Sequence, residues 1–501
     1  MIRRKPTPSP ARPRSNPVAM RGSSRHVILA IGAWVLIGGL ILAPFPYELT
    51  VGRAVAVALF SLVGMGAVLS HLFHQRLSSR RLRKRLGVIF AVTVLSLIGL
   101  QLARYAIAGR PDDGLQLLTT APLVATGMLL GALMSPGTAA VCLALLTVLV
   151  WIGGVAESTF LAAAALSGIA GAYAVNPLKQ RSDLLRSGVV VALTFTALGI
   201  GAAAISATSV VDALQVGPWG VIGGVGAMAL FWLSVAVFER AFDITSDWGL
   251  LELCSPENAL LHELMVRAPG TWAHSVMVGN LAEAAAKAIG ANALLARACA
   301  YYHDIGKMNR PEFFVENQAG GNIHETLSPN LSARVIAAHV KDGLQMAEEH
   351  RLPQAIREAI AQHHGTTLIS YFYHRAAAGQ EDPVLKQHFR YEGPKPQRRE
   401  IGILMLADIV EAATRSQEKT SPSRLEHLVS SLVTDRVEDG QLDECELTFK
   451  DVRRIVAAFV QSLTAVRHNR IDYGQAIEEE GSGEQGDHDV PVPEAPAVGA
   501  D

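Results

Sequence analysis

Long apolar runs fill the first half of the chain between residues 26 and 242. A helix needs about 20 apolar residues to cross the hydrocarbon core of a bilayer, and these runs approach that length. A soluble amphipathic helix would carry a polar stripe, which the runs lack. We therefore predict a transmembrane domain over residues 26–242 in the lipid bilayer. Its predicted spans are 26–45, 52–73, 87–108, 115–135, 137–156, 159–175, 188–206 and 218–238. The short boundary at 135–137 leaves seven or eight spans open.

Basic residues are concentrated in two of the loops between these runs. One loop reads HQRLSSRRLRKR and the other NPLKQRSDLLR, whereas PFPYELT, GRPDDG and SATSVVDALQVG are nearly free of Lys and Arg. Positive charge stays on the cytoplasmic side of a membrane. We therefore predict a multi-pass protein of the inner (cytoplasmic) membrane, with its N-terminus and everything after residue 239 in the cytoplasm. No charged residue marks an ion pathway within a span, so a transporter is the weaker alternative.

The apolar pattern becomes amphipathic and helical over residues 271–470, and little of it alternates with period two. The predicted fold is all-α, a polytopic helical membrane domain followed by a cytoplasmic helical domain. Ser328 with Pro329 suits a helix start, and Thr448 with Asp451 resembles a capping box. The predicted helices of this domain are 272–289, 292–304, 328–342, 353–364, 400–416, 422–435 and 449–467.

Three further segments complete the predicted domain order. Residues 243–270 form a linker of short helical pieces interrupted at Pro256 and Pro269, which either transmits a signal from the membrane or merely caps the soluble domain. The basic residues 1–25 have few apolar side chains, the acidic residues 474–501 are of low complexity, and both segments are predicted to be disordered. An uncleaved anchor fits the first run better than a cleaved signal peptide.

Charge and cysteine usage exclude some functions. The formal net charge of -1 gives no indication of a nucleic-acid partner. The four cysteines are widely spaced without a CxxC pair, so neither a zinc knuckle nor a disulfide framework is indicated.

Polar residues that can bind metals interrupt the helical pattern of the second half in a fixed order. They are His274, His303, Asp304, His339, His363, His364 and Asp408. A carboxylate at Asp408, inside ILMLADIVEAA, would be strongly penalised unless it were paired or ligated. Nitrogen and carboxylate ligands without thiolates favour Fe, Mn or Zn.

Each of these residues also has an ordinary explanation when it is taken alone. Arg415 could neutralise Asp408, the pair His363–His364 could be a favourable helix C-terminus, and a single helical His is commonly a partly buried polar residue. The ordered combination of H, HD, H, HH and D is what favours a metal centre.

The order of these residues, with HDIGK at its centre, resembles the HD superfamily of metal-dependent phosphohydrolases. Further segments are similar to the seven-transmembrane HD family of bacterial cyclic di-AMP phosphodiesterases, closely over about 245–420. They include APGTWAHS, LLARACAYYHDIGK, RPEFFVENQ, HHGTTLISYFYHRA, FRYEGPKPQ and MLADIVEAATRS. Two departures are visible: only PFPYELT separates the first two runs where the family has a large extracytoplasmic domain, and Trp272–Ala273 precede the first His.

The resemblance implies hydrolysis of cyclic di-AMP to pApA at two divalent metal ions, Mn or Fe. His274, His303, Asp304 and Asp408 would hold one ion, and Asp304 would bridge to a second held by His339, His363 and His364. Lys307 would contact the phosphate beside His303 and Asp304. Further candidates for substrate binding are Arg310, Asn317, Lys341, Asp342, Thr366, Tyr391 and Lys395.

Rival functions remain at this point. The same site could act on another nucleotide, or the domain could be a catalytically silent nucleotide-binding module. The sequence HHGTTLISYF differs from the HHExxDGxGYP pattern of the cyclic di-GMP branch, which argues against that substrate. No nucleic-acid polymer is expected as a partner, and a homodimer is left open.

Overall fold

The computed structural model describes residues 51–74, 79–107, 112–154, 156–176, 181–318, 320–378, 385–415 and 421–468. Within these ranges the regular secondary structure consists of helices and includes no strand, apart from an isolated antiparallel bridge between Leu368 and Arg390. The predicted all-α fold is confirmed. The predicted span 26–45 and both predicted disordered ends lie outside the described residues.

Nine helices precede residue 243 in the described part of the chain. They are α1 Val51–His74, α2 Ser79–Ala106, α3 Asp113–Thr119, α4 Ala121–Leu133, α5 Pro136–Ile152, α6 Ser158–Ala174, α7 Arg181–Ser206, α8 Val210–Leu214 and α9 Gly217–Phe242. Five stretches are long and apolar enough to cross a membrane, whereas α5 and α6 are apolar but shorter. The five are Ala54–His74, Leu82–Ala106, Asp113–Leu133, Ser182–Ile205 and Val210–Phe242. The chain is therefore a membrane protein.

The predicted span 115–135 is interrupted, because α3 ends at Thr119 and α4 begins at Ala121. The Thr120 hydroxyl donates to the Leu117 carbonyl oxygen at 2.7 Å. Pro122 follows in the first turn of α4, where its missing N–H costs no helical hydrogen bond. A proline at this position is compatible with the first turn of α4 but not with a continuation of α3.

Small residues and apolar surfaces define the packing of the membrane half. Helix α4 packs on α6, and α7 packs on both α6 and α9. A side chain at Gly127 would overlap the Gly168 carbonyl oxygen, so glycine is what lets α4 and α6 approach closely. Large apolar side chains such as Leu193 and Leu233 are 65% and 73% exposed on the outside. Such surfaces suit contact with lipid tails.

The predicted linker contains two short helices, α10 Asp247–Leu253 and α11 Ala259–Arg267, with Pro256 between them as expected. Asp243 ends α9 in the left-handed conformation, with φ of 49°. Its carboxylate accepts hydrogen bonds from Lys84 Nζ at 3.1 Å and from the Gln354 backbone N–H at 3.1 Å. The end of the last apolar helix therefore caps the start of the helix at Gln354.

After Ala268 the chain forms eight further helices within the described residues. They are α12 Pro269–Ile289, α13 Ala293–Tyr302, α14 Pro329–Glu349, α15 Gln354–Gln362, α16 Ser370–Ala377, α17 Arg399–Arg415, α18 Pro422–Glu438 and α19 Phe449–His468. The chain divides into two compact units. The first consists of the segment ending at Ala268 with Ile305–Asn309 and His339–Ile360, and the second of Pro269–Asp304, Arg310–Ala338 and the segment from Ala361 onward.

The second unit has α12 at its centre. This helix packs against α13, α17 and α19 through fully buried residues such as Ala282 and Ala285. Phe459 of α19 and Leu404 of α17 are also fully buried. The amphipathic pattern of the sequence supplies these faces, because apolar residues three and four positions apart share one side of a helix.

Both helix starts that the sequence predicts are confirmed. Helix α14 begins at Pro329, and the Ser328 hydroxyl accepts from the Leu331 backbone N–H at 3.4 Å. Asp451 Oδ2 accepts from the Thr448 backbone N–H at 3.0 Å, and Thr448 Oγ1 accepts from the Asp451 N–H at 3.2 Å. This reciprocal pair is the capping box, with Asp in place of Glu.

One helix of this half is longer than predicted, and another was not predicted. Helix α14 continues to Glu349 although the expected end was residue 342, because Gly343 fits inside the helix against the Gly306 backbone, where its ideal Cβ would lie 3.2 Å from the Gly306 nitrogen. The helix α16 was not predicted. Its buried Phe372 and Ala376 pack with Ala333 and Phe389 in a small separate cluster.

Candidate metal centre

Helix α12 places His274 in the site. The helix begins at Pro269, not at residue 272 as predicted, so His274 lies in its second turn. Proline at the first helical position explains the earlier start. His274 is 5% exposed. Its Nε2 lies 3.2 Å from Asp408 Oδ1 and 3.7 Å from Asp304 Oδ2.

The adjacent residues His303 and Asp304 follow the end of α13. The helix stops at Tyr302 and a 3₁₀ turn starts at Ile305. The two side chains are therefore not part of a continuous α-helix, in which adjacent side chains point in different directions. Both are essentially fully buried. His303 Nε2 lies 3.2 Å from Asp304 Oδ2.

The two oxygens of the Asp304 carboxylate face different histidines. Oδ2 faces His303 and His274, whereas Oδ1 lies 3.7 Å from His363 Nε2. A carboxylate in this arrangement can contribute one oxygen to each of two cations. The geometry therefore suits the bridging role that the sequence comparison suggests for Asp304.

His363 and His364 lie in the turn that follows α15, where Gly365 adopts a positive φ of 52°. His363 is fully buried, and His364 Nδ1 lies 3.7 Å from Asp408 Oδ2. The ring of Tyr391 stacks on the His364 ring with centroids 4.2 Å apart. The turn is thus held on one side by an aromatic contact.

Asp408 occupies the middle of α17 among buried apolar residues. Burial alone would raise the pKa of this carboxyl. The hydrogen bond with His274 and the nearby His364 and His303 outweigh burial and hold the pKa below its ordinary value. Asp408 is therefore a carboxylate at neutral pH, which is the form that can bind a cation.

The seven ligand-type residues form two groups in the structure. Asp304, His339, His363 and His364 make up one group, and His274, His303 and Asp408 make up the other. Within each group one ligand atom per residue lies within 4.8 Å of the others.

His303 provides a test of whether a metal fits these groups. Its Nδ1 donates to the Ala300 carbonyl oxygen at 2.6 Å, which leaves the lone pair on Nε2. Nε2 is buried and has no hydrogen-bond partner among the described residues. A buried nitrogen lone pair directed at carboxylates is suited to a divalent cation, and the nitrogen and oxygen donor set fits such an ion.

A close backbone contact at Gly306 positions His339. A side chain at Gly306 would overlap the His339 carbonyl oxygen and would lie 2.9 Å from its carbonyl carbon. The backbone of α14 at His339 therefore packs directly on the turn that follows Asp304. The Gly of HDIGK is required by this close approach.

The predicted substrate-binding residues have different surroundings. Tyr391 and Thr366 adjoin the His363–His364 turn. Lys395 Nζ donates to the Gly440 carbonyl oxygen at 2.8 Å, and the Asn317 amide makes two hydrogen bonds with Thr271 at the start of α12. Lys307 and Asp342 are half-buried, and Arg310 and Lys341 are exposed. Asn317 and Lys395 therefore have structural contacts of their own.

Two residues with contacts at or beside the cluster were not among the predicted site residues. Glu411 Oε2 lies 2.5 Å from His274 Nδ1, and its position three residues after Asp408 on one helix face could have indicated it. Gln441 is fully buried, and its Oε1 accepts from the Thr366 backbone N–H at 2.9 Å. Gln441 is 75 residues from Thr366, so no local pattern could have identified this contact.

Two segments of the chain match known protein families. Residues 53–246 match the family described as 7TM receptor with intracellular HD hydrolase, and residues 271–413 match the HD domain. Together the two matches cover more than half of the chain. The chain belongs to the 7TM–HD family.

Two relatives of this 7TM–HD protein carry the name cyclic-di-AMP phosphodiesterase PgpH. The protein from Bacillus subtilis strain 168 is 40% identical over 62% of this chain and 44% of its own length. The protein from Listeria monocytogenes serotype 1/2a is 38% identical over 62% of this chain and 43% of its own. The chain thus spans less than half the length of these two relatives.

Two solved structures also align with the 7TM–HD chain. They are the L. monocytogenes phosphodiesterase PgpH HD domain alone and in complex with cyclic-di-AMP. Each is 43% identical and covers 42% of this chain and 99% of the solved chain, with TM-scores of 0.40 and 0.41.

Proposed function

We propose that this 7TM–HD protein is a membrane-anchored phosphodiesterase that hydrolyses cyclic di-AMP to pApA. The observation that carries the proposal is the buried cluster of five histidines and two aspartates, divided into two groups that could each hold a cation. Relatives about 40% identical that are named cyclic-di-AMP phosphodiesterases support the choice of substrate.

The proposed ligand set uses all seven residues. His274, His303 and Asp408 would hold one ion, His339, His363 and His364 would hold the other, and Asp304 would contribute to both. Mn and Fe fit this nitrogen and carboxylate set, which contains no thiolate. Bound divalent cations would supply Lewis-acid chemistry for the attack of water on a phosphodiester.

The chain's own residues would bind and orient the substrate around this centre. Lys307, in the 3₁₀ turn directly after Asp304, would neutralise charge on the phosphodiester, and exposed Arg310 and Lys341 would extend the positive surface. Tyr391, stacked on His364, offers an aromatic face to an adenine base. Water would add to phosphorus as one P–O bond breaks, leaving pApA with a free 3′ hydroxyl.

The cell location is part of the same proposal. The domain order is 26–242 for the transmembrane domain, 243–270 for the linker and 271–470 for the HD domain, with 1–25 and 474–501 as tails. The basic loops support a topology with the N-terminus and the catalytic domain on the cytoplasmic side of the cell membrane. Cyclic di-AMP would therefore reach the site from the cytoplasm.

The test uses the full chain, purified in detergent, loaded with Mn²⁺ or Fe²⁺ and mixed separately with cyclic di-AMP, cyclic di-GMP and a short RNA. We expect pApA from the first substrate only, and a loss of at least about 100-fold in kcat for His303→Ala, because that variant removes a buried ligand nitrogen. The control is His262→Ala, which removes an exposed histidine of α11 outside both groups. Bound metal without any release of pApA would contradict the proposal and favour a silent nucleotide-binding module. Turnover of another nucleotide instead would favour a related phosphohydrolase.

A further inference from the structure

Glu411 is a buried carboxylate that lies next to the proposed metal centre without belonging to either group of ligands. It is 6% exposed on α17, one turn after Asp408. Its Oε2 lies 2.5 Å from His274 Nδ1, a short hydrogen bond between two buried side chains. A buried carboxylate is costly unless a partner compensates for its lost hydration, and here the partner is the imidazole.

This contact determines which nitrogen of His274 is available. A carboxylate accepts hydrogen bonds, so Nδ1 carries the proton and donates it to Glu411. A bound cation would take the place of the proton on Nε2, the atom that lies 3.2 Å from Asp408 Oδ1 and 3.7 Å from Asp304 Oδ2, and the lone pair of the neutral ring is then on Nε2. Glu411 therefore fixes both the tautomer and the direction of the ligand nitrogen.

His303 provides a comparison within the same cluster. Its Nδ1 donates to a neutral acceptor, the Ala300 carbonyl oxygen, at 2.6 Å. A carboxylate is a stronger acceptor than a carbonyl, so it makes the imidazole a more basic donor toward a metal. The two histidines of one group are thus held by acceptors of different charge.

Helix α17 carries the ligand and the supporting carboxylate on the same face. Asp408 and Glu411 are three residues apart, a spacing at which helical side chains are neighbours. The residue that precedes each of them is fully buried, Ala407 before Asp408 and Val410 before Glu411. One rigid helix therefore sets the position of Asp408 directly and the orientation of His274 through Glu411.

We propose that Glu411 is a positioning residue, which orients His274 and raises its affinity for the divalent cation of the group His274, His303 and Asp408. The inference rests on the metal centre of the proposed function. It adds to that proposal that the affinity of one ion depends on a carboxylate that does not touch it. Loss of such a supporting partner typically weakens a metal site by about 10- to 100-fold.

The experiment measures metal binding by the full chain in detergent, without substrate. Wild type, Glu411→Gln and Glu411→Ala are stripped of metal, and Mn²⁺ is titrated in with electron paramagnetic resonance detection of the free ion. We expect one of the two ions to bind about 10-fold more weakly in Glu411→Gln and about 100-fold more weakly in Glu411→Ala. The second ion should keep its wild-type affinity within about threefold, since none of its proposed ligands is substituted or in contact with Glu411.

Glu400→Gln is the matched control, because Glu400 lies on the same helix and accepts from the Asn292 backbone N–H at 3.0 Å, away from the ligands. Mn²⁺ binding should be unchanged in this variant. Thermal unfolding of the metal-free proteins separates a structural role from a positioning role. If Glu411→Gln lowers the melting temperature of the metal-free protein but binds both ions like wild type, Glu411 only fills the interior and the inference is overturned.

The outcome also separates this inference from the proposed function. A wild-type chain that binds two ions but releases no pApA would contradict the phosphodiesterase proposal and leave the Glu411 comparison intact. Equal Mn²⁺ affinity in wild type and both Glu411 variants, with normal turnover, would overturn the role of Glu411 alone. A wild-type chain that binds no divalent cation would overturn both.

Discussion

Single side chains in the cluster are held in position by hydrogen bonds outside the ligand set. His303 is oriented by the Ala300 carbonyl and His274 by Glu411, so each Nε2 is directed toward an aspartate. The nitrogen atoms that would bind a cation are therefore already oriented before any cation binds. Such preorganisation lowers the entropy that binding would otherwise have to overcome.

Gly306 is the residue at which a single methyl group should disrupt the site. We expect Gly306→Ala to lower the free energy of unfolding by about 2 kcal/mol, because the new Cβ would overlap the His339 carbonyl oxygen. Moving α14 away would also displace His339, so we expect weaker binding of the ion of its group. Chemical denaturation and Mn²⁺ titration measure the two effects.

The control for this substitution is Gly321→Ala, since no atom lies within 4 Å of a Cβ at Gly321. We expect it to leave both stability and metal binding close to wild type. Wild-type metal affinity in Gly306→Ala would show that the contact between Gly306 and α14 does not position His339.

At the scale of helices, the ligands come mostly from helix ends. His303 and Asp304 follow the end of α13, and His363 and His364 follow the end of α15. Backbone that leaves a helix can direct adjacent side chains into one place, which a continuous helix cannot do because its residues are 100° apart. Helix termination is therefore part of how the site is built.

The capping box at the start of α19 should make stability depend on pH. The Thr448 backbone N–H and hydroxyl donate to Asp451 and lower the pKa of its carboxyl. A lowered pKa in the folded state stabilises the protein above the unfolded value of about 3.9, and this contribution is lost as the pH falls through the folded value. We expect Asp451→Asn to cost about 1 kcal/mol at pH 7 and progressively less below about pH 4.

Glu446→Gln is the control, because Glu446 is an exposed acid shortly before the cap. Its stability should follow that of wild type at both pH values in urea denaturation. An Asp451→Asn variant that loses the same free energy at pH 3 and pH 7 would contradict the assignment of the effect to the carboxylate charge.

For the whole molecule, the apolar exterior of the first half requires a bilayer. Side chains such as Leu193 and Leu233 cannot be covered within the described residues, and the basic loops indicate which side faces the cytoplasm. We expect a fluorescent protein fused to the C-terminus to fluoresce, since it matures in the cytoplasm. Alkaline phosphatase fused after Val216, in the loop predicted to face outward, should be active.

Fusion of the same phosphatase after Arg186 is the control, because that loop is rich in Lys and Arg and should keep the enzyme inside and inactive. An active phosphatase at the C-terminus would show that the HD domain faces outward. The topology would then have to be reversed, and cyclic di-AMP from the cytoplasm could not be its substrate.

The sequence alone determined the helical fold, the apolar character of the first half, both helix starts at Ser328 and Thr448, and the set of ligand-type residues. These follow from local physics: the period of apolar residues, the cost of a polar group in an apolar segment, and hydrogen bonds between neighbours in the chain. The order of H, HD, H, HH and D could be recognised for the same reason, since each motif is short.

Only the tertiary structure decided which atoms face each other. That Asp304 divides its two oxygens between histidines, that Glu411 supports His274, and that Gln441 holds the turn at Thr366 are consequences of segments far apart in sequence. The extension of α14 past Gly343 has the same origin, because the fit against Gly306 outweighs the low helix propensity of glycine. Packing between distant segments sets these contacts, and no local pattern encodes it.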